Sequence, residues 1–336
     1  MVLKEQIEQA LGEVLIPAVG LSVVRLNMVR GVEVTNKMVK VILASTALSQ
    51  ESQEWIKART VRVVKKLPDV DEVELEFVEC KPSELNQFGH VIAVMSGKGG
   101  VGKSLVTSLL AVALNRRGYT VGILDADLTG PTIPRMFGIS TRPSGSNTGI
   151  LPVLSKSGIE VMSLNLLLPE EDEAVIWRGP IISSTIAQFW EGVVWGKCDY
   201  LIVDLPPGTA DAPLTVIQRL PLSGVVIVFT PQDLTAMIVR KALKMVQSMD
   251  KTVLGVVENM SYLYIPEIDK KIEIFGRSNG EEMARVANAP LLGQLPIDPQ
   301  LARLCDEGNI EIYDSEVVNS LGQALLKVMP EAKQGK

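Results

Sequence analysis

The sequence predicts an α/β protein in which a doubly wound, mostly parallel sheet follows a small αββαβ domain. Three observations carry that prediction. Val91 to Met95, Val121 to Asp125, Leu201 to Asp204, Val225 to Phe229 and Val253 to Val257 are short, nearly continuous apolar runs. Such runs suit strands covered on both faces, as parallel strands with crossover helices are. Before Lys81 the pattern differs: apolar and polar residues alternate, as in a sheet with one solvated face. The stretch from Lys81 to about Phe88 turns polar, with Pro82, Ser83 and Asn86, and reads as a linker between the two patterns.

The small domain is assigned to residues 1–79, the linker to 80–89 and the large domain to 90–336. Glu5 to Leu15 has helical periodicity and meets Ile16-Pro17, where proline cannot continue a helix. Val32 and Val34, then Val39, Val41 and Leu43, flank Asn36-Lys37, which signals a hairpin. Ser49 can cap a helix running to about Lys66, with Trp55, Ile56 and Val63 on one side. Val73, Leu75 and Phe77 alternate with Glu72, Glu74 and Glu76, giving a half-buried strand with an acidic outer face.

Composition narrows the chemistry. The 336 residues are 46% apolar, enough for at least one full core, and the formal net charge is −6, which repels a nucleic-acid backbone. Nucleic acid is therefore not expected as a partner. No stretch reaches the uninterrupted apolar length of a membrane span, and the amphipathic N-terminus is unlike a signal peptide, so the expected location is cytoplasmic. Cys80, Cys198 and Cys305 stand far apart and form no C-x-x-C pair, so neither a disulfide framework nor a local metal site is indicated. Lone cysteines behave as small buried hydrophobes more often than as ligands. The single histidine, His90, rules out a His-based triad or a His-rich metal site and reads as a structural side chain.

The chemistry-bearing segment is Gly97-Lys98-Gly99-Gly100-Val101-Gly102-Lys103-Ser104, which fits G-x-x-x-x-G-K-[ST] between an apolar strand and a helix-compatible segment. Its glycines let backbone N–H groups turn inward around a β-phosphate, at a helix start whose dipole also favours anions. Lys103 is placed to bridge the β- and γ-phosphates, and the Ser104 hydroxyl to ligate Mg²⁺. Leu201-Ile202-Val203-Asp204 is an apolar run ending in an acid, the Walker B form, whose carboxylate reaches the Mg²⁺ shell. Leu205-Pro206-Pro207-Gly208-Thr209 then makes a stiff turn suited to sensing the γ-phosphate. Asp125 and Asp127 end another strand with spacing that lets both face the phosphates. The expected nucleotide is ATP, because no N-K-x-D tetrad follows the loop to read guanine. Asn259, just past an apolar run, is placed to meet a base edge.

Lys98 makes the loop K-G-G-x-G-K, which resembles the deviant Walker A form of the MinD/ParA-type ATPases. Within that class the large domain closely resembles the Mrp family of ATP-binding iron–sulfur cluster carriers. The segments that carry the resemblance are Asp125-Ala-Asp-Leu-Thr-Gly-Pro, Ile176-Trp-Arg-Gly-Pro, Asp199-Tyr-Leu-Ile-Val-Asp-Leu-Pro-Pro-Gly-Thr and Thr230-Pro-Gln-Asp. Glu258-Asn-Met-Ser-Tyr, Ile274-Phe-Gly and Leu292-Gly-Gln-Leu-Pro-Ile-Asp complete them. The αββαβ start is similar to the small domain that many Mrp proteins carry. The resemblance implies a homodimer in which Lys98 acts across the two-fold interface on the other subunit's phosphates. It also implies Asp127 orienting the attacking water, Ser104, Asp125 and Asp204 around Mg²⁺, and Val101, Leu105 and Asn259 among the nucleotide contacts. Implied partners are iron–sulfur assembly or client proteins.

The sequence also departs from that family. Where a C-P-x-C normally supplies two thiolates per subunit to a bridging cluster, this chain reads Ile265-Pro266-Glu267-Ile268, so the iron–sulfur ligands are absent. The small domain has Ile16-Pro17-Ala18 for D-P-E and no sulfur near Leu48-Ser49. Leu105 replaces a hydroxyl residue, Ala210 a glycine and Ile238 an aspartate. Val317 to Met329 is amphipathic with slight basic content, which favours docking on its own domain over a membrane surface. The expected function is an ATP-hydrolysing dimeric switch in cluster carriage or assembly. Its rivals are a factor that carries no cluster of its own, a small-molecule kinase and a non-hydrolysing scaffold.

Overall fold

The computed structural model describes residues 4–127, 130, 132–167, 186, 188–209 and 211–329. Leu128, Thr129, Pro131, the Ile176 to Pro180 segment and Ala210, all named above, lie outside the described residues. In chain order the strands are β1 Val29–Thr35, β2 Met38–Ala44, β3 Glu72–Val78, β4 Gln87–Ser96, β5 Val121–Asp125, β6 Gly145–Ser146 and β7 Gly149–Ile150. They continue with β8 Val153–Leu154, β9 Glu160–Ser163, β10 Lys197–Asp204, β11 Gly224–Phe229, β12 Val253–Ile265, β13 Lys270–Ile272 and β14 Leu291–Ile297. The chain forms two compact units. The first comprises residues 1–87, 142–153 and 188–198; the second comprises 88–141, 154–187 and 199–336.

The first unit has the expected αββαβ order around a three-stranded sheet, β1-β2-β3. β1 and β2 pair antiparallel from Thr35↔Met38 outward, and Asn36 sits at φ 55°, the left-handed conformation a tight hairpin turn requires. β3 adds parallel to β2, and the helix Gln50–Val64 makes the crossover. That helix starts where expected: Ser49 accepts from the Ser52 N–H at 3.2 Å, a cap that contributes about 1 kcal/mol. Ile56, Thr60, Val63 and Val64 form its buried stripe. The first helix, Lys4–Leu11, is shorter than its periodicity predicts. It stops at Gly12, and Leu15 instead bridges to Ser22.

The stretch expected as a linker is folded, with a helical turn Pro82–Leu85 and the start of β4. Asn86 organises it: its Oδ1 accepts from the Trp195 and Gly196 N–H groups at 2.7 and 3.1 Å, and its Nδ2 donates to Val193 O at 2.9 Å. Arg25 donates to Trp195 O at 3.1 Å, and Leu151 and Val194 join the apolar core of this unit. Thr148 accepts from the Ala47 N–H.

The second unit contains the large sheet, in the order β13-β12-β11-β4-β10-β5-β9-β8, with β14 also on β12. The pairs β4–β11, β11–β12, β12–β14, β5–β10 and β5–β9 are parallel, and β12–β13 is antiparallel. All five expected runs are strands with almost wholly buried residues, which is what cover on both faces produces. The helix Lys103–Asn115 follows β4 and is buried along most of its length. The C-terminal helix Glu316–Val328 buries Val318, Leu321, Gly322 and Leu325, packing on Lys103–Asn115 and β14. A Cβ on Gly322 would meet Ala113 at 2.7 Å, so glycine permits the helices' close approach. No helix among the described residues is long and apolar enough to cross a membrane.

Candidate nucleotide site

Parallel strands point their C-terminal ends the same way, and that is where the candidate residues collect. β4 ends at Ser96 and the loop Gly97–Gly102 leads into the helix Lys103–Asn115. Gly100 and Gly102 take φ of 79° and 81°, in the left-handed region that favours glycine. A Cβ on Gly102 would collide with the Asn259 amide, and one on Gly97 with the Ile238 side chain. The Ile238 side chain thus lies directly against Gly97 of the loop.

Asp204, at the end of β10 and fully buried, is the hub of the site. Its Oδ2 receives the Lys103 ammonium at 2.7 Å and the Ser104 hydroxyl at 2.5 Å, and its Oδ1 receives the Thr107 hydroxyl at 2.7 Å. Asp125 faces Asp204 in the β5–β10 register, and Asp127 lies 3.4 Å from the Lys103 ammonium. Burial first, then the charge of Asp204, push the Asp125 carboxyl up to about 8, against the opposing pull of Lys103 and Ser163. Ser163 on β9 donates to Asp125 at 3.1 Å.

A cavity of about 300 Å³ opens above these groups, bounded by Gly99, Gly100, Lys103, Ser104, Asp127 and Pro207. A second, of about 270 Å³, shares Leu105 with the first; Asn259, Met260, Phe275, Pro296, Asp298, Leu301 and Cys305 line it. Asn259 is buried and donates to Val101 O at 2.9 Å, so the base-reading candidate touches the phosphate loop directly. A larger cavity, of about 570 Å³, lies at the N-terminal ends of β4, β11 and β12, lined by His90, Ser223 and Leu254 among others. It is at the wrong end of the sheet for the loop chemistry. His90 itself is buried and stacked on Tyr200 at 5.2 Å.

Lys98 is not part of the buried cluster. Its ammonium rests on the Gln232 side-chain oxygen at 2.8 Å, in an exposed position. Ser104, Asp125 and Asp204 offer only hard oxygen donors, the chemistry that suits Mg²⁺. Among the described residues no three His, Cys, Asp or Glu side chains gather as a metal cage, so a cation there needs phosphate or water oxygens as well. The three cysteines form no such group either; Cys305 borders the second cavity with its thiol pushed up to about 11 by burial. Ile265 ends β12, and Ile268 is 62% exposed in the following turn.

Sequence reasoning missed Thr107, Ser163, Gln232 and Glu258. Thr107 had a signal, since it lies one helical turn beyond Ser104 on the same face. Glu258 had one as well, a charge inside an apolar strand run.

Comparison with known proteins agrees with this fold. The ParA family, described as NUBPL iron-transfer P-loop NTPase, matches residues 87–331, and an iron–sulfur cluster assembly protein family matches residues 4–75. An iron–sulfur cluster carrier protein of Synechocystis sp. is 39% identical over 328 residues, covering 93% of this chain and 92% of its own. Among solved structures, the nucleotide-binding protein in complex with ADP from Archaeoglobus fulgidus is 42% identical with a TM-score of 0.64, covering 75% of this chain and 97% of its own. The cell division protein MinD of Aquifex aeolicus shares the fold, at 21% identity and a TM-score of 0.50 over 71% of this chain and 97% of its own. The family match spans well over half the sequence, and the chain belongs to the NUBPL-type iron-transfer P-loop NTPases of the ParA family.

Proposed function

We propose that this protein is an ATP-hydrolysing dimeric switch acting in iron–sulfur cluster carriage or assembly. The observation that carries the proposal is the buried constellation of Lys103, Ser104 and Asp204 beneath the glycine loop. Burying a lysine against acids contributes little to stability, so its retention points to a ligand. On binding ATP, Lys103 transfers its contact from Asp204 to the β- and γ-phosphates, and loop N–H groups hold the β-phosphate. Mg²⁺, when bound, supplies positive charge against the phosphate oxygens. Ser104 and Asp204 would hold it, with Asp125 beside them. Asp127, at the cavity wall, orients the attacking water. The second cavity takes the base, with Asn259 at its edge.

Lys98 supplies the remaining charge from the opposite subunit of a face-to-face dimer. Its exposed side chain, held by Gln232 rather than by its own cluster, supports that role. Turnover per subunit is expected to rise with protein concentration, and ATP to shift the protein towards a dimer in sizing experiments. Turnover independent of concentration would sink the dimer mechanism. Phosphate transfer only in the presence of an added acceptor would instead indicate a kinase.

A second reading concerns cargo. Ile265 and Ile268 offer hydrocarbon at the positions where the resembled carriers have thiolates, which favours a switch that serves cluster assembly without holding a cluster itself.

A further inference from the structure

Glu258 takes no part in the phosphate chemistry, yet it is a fully buried carboxylate in the middle of β12. Among the described residues no lysine or arginine pairs with it. Four neutral donors hold it instead. Its Oε2 accepts from Ser261 Oγ and Ser278 Oγ, each at 2.6 Å, and from Gln294 Nε2 at 3.0 Å. Its Oε1 accepts from the Asn279 N–H at 2.8 Å.

The backbone around Glu258 explains the arrangement. β12 and β14 run in parallel register through Glu258↔Gln294, but the next pair is Tyr262↔Pro296. Four residues of β12 are thus spent against two of β14, and Asn259 to Ser261 arch out of the ladder. Met260 takes φ 55° within the arch, and the Ser261 hydroxyl returns to Glu258 and closes it. Asn259 is thereby carried to the Val101 carbonyl of the phosphate loop. The segments that donate to Glu258 also supply cavity walls: Asn259 and Met260 from the arch, Phe275 ahead of Ser278, and Pro296 beyond Gln294.

We infer that Glu258 is the positioning residue of the base pocket: it holds the arch in β12, the 275–279 segment and β14 at the separation that shapes the cavity and aims Asn259. The inference rests on the reading that this cavity receives the nucleotide base. It predicts a larger effect on base recognition than on phosphate recognition, since among the described residues the arch hydrogen-bonds the phosphate loop only through the Asn259–Val101 contact.

Calorimetric titration of ADP and of inorganic pyrophosphate, each with Mg²⁺, tests it on the full chain. Glu258→Ala should weaken ADP binding by about tenfold or more, since several buried donors lose their acceptor. Pyrophosphate binding should fall by clearly less, since Lys103 and the loop N–H groups remain and the loop loses at most the Asn259–Val101 contact. Ser261→Ala, which opens the arch alone, should weaken ADP in the same sense by less, and it decides the matter should Glu258→Ala show no cooperative melting. Parallel losses for ADP and pyrophosphate would reduce Glu258 to a structural support, and unchanged ADP affinity would overturn the inference outright. Wild-type protein that binds ADP no more tightly than pyrophosphate would remove the base assignment itself, and the inference with it, while leaving the phosphate loop standing.

Discussion

Two regions of the large sheet invest in opposite chemistry. Where β4, β5 and β10 end, Lys103, Asp125, Asp127 and Asp204 are nearly removed from water and braced on one another and on hydroxyls. Where β12 runs beyond the arch towards β13, Tyr264, Ile268, Ile272, Ile274 and Phe275 turn to solvent beside exposed charges such as Asp269, Lys270 and Lys271. Desolvated charge is costly and survives only with partners, so the first region is specified atom by atom. The second sets exposed hydrocarbon among solvated charges, with polar contacts such as Tyr264–Asp269 at the surface. The buried cluster is thus fixed by charge and hydrogen bonds, whereas the turn that carries Ile265 and Ile268 presents no such cluster among the described residues.

The contrast can be broken most sharply at Lys98. Lys98→Ala should still bind ATP, because Lys103 and the loop backbone remain, but hydrolysis should fall by roughly 10³–10⁵, the usual cost of losing a charge supplied in trans. Retained wild-type turnover in a phosphate-release assay would remove Lys98 from the chemistry. Lys103→Ala should weaken ATP binding at least about tenfold, since charge-assisted hydrogen bonds contribute about 1.5–3 kcal/mol each. That variant also leaves buried Asp204 without its cation, so melting must be followed beside the titration.

At the other region, the wild-type protein reconstituted anaerobically should hold no stable cluster at the β12–β13 turn. The double variant Ile265→Cys, Ile268→Cys should acquire one, read as roughly four irons per dimer with an absorbance shoulder near roughly 400 nm. The same signature on the wild-type chain would show that other ligands serve, and cysteine-to-serine variants would locate them.

A different readout of the buried cluster is pH. Asp125 keeps its proton to about 8 in the fold, whereas in the unfolded chain it loses it near the ordinary carboxylate value of 3.8. The folded state binds more protons between those limits, so stability declines as pH rises through that window, by at most about 1.4 kcal/mol per pH unit. Asp125→Asn should flatten the slope in nucleotide-free melting curves. A slope that survives the substitution would assign it to another group.

Legibility followed locality. The phosphate loop, the strand-end acids and the Asn36 hairpin are contiguous strings whose backbone demands are written in neighbouring residues. The contacts that tune them are not contiguous. Thr107, Ser163 and Gln232 meet their partners only after the sheet is wound, and Glu258 gathers donors from three segments. Strand β14 escaped notice because Gly293 and Pro296 interrupt its apolar pattern, and β12 runs eight residues past its expected end through the arch. The Asn86 contacts joining Pro82–Leu85 to residues 193–196 carried no sequence signal at all.

Those contacts bear on how the protein is made. The unit that begins at the N-terminus cannot complete itself from the first 87 residues, because Leu151, Val194 and the Asn86–Trp195 clasp arrive later in the chain. A ribosome adding about 5–20 residues per second needs roughly 5–20 s to travel from residue 87 to residue 198. During that interval this unit waits with part of its core uncovered. Vectorial synthesis thus leaves this unit unfinished while residues 88–141 and 154–187 of the other are being made, and a chaperone acting on the nascent chain would find its target there.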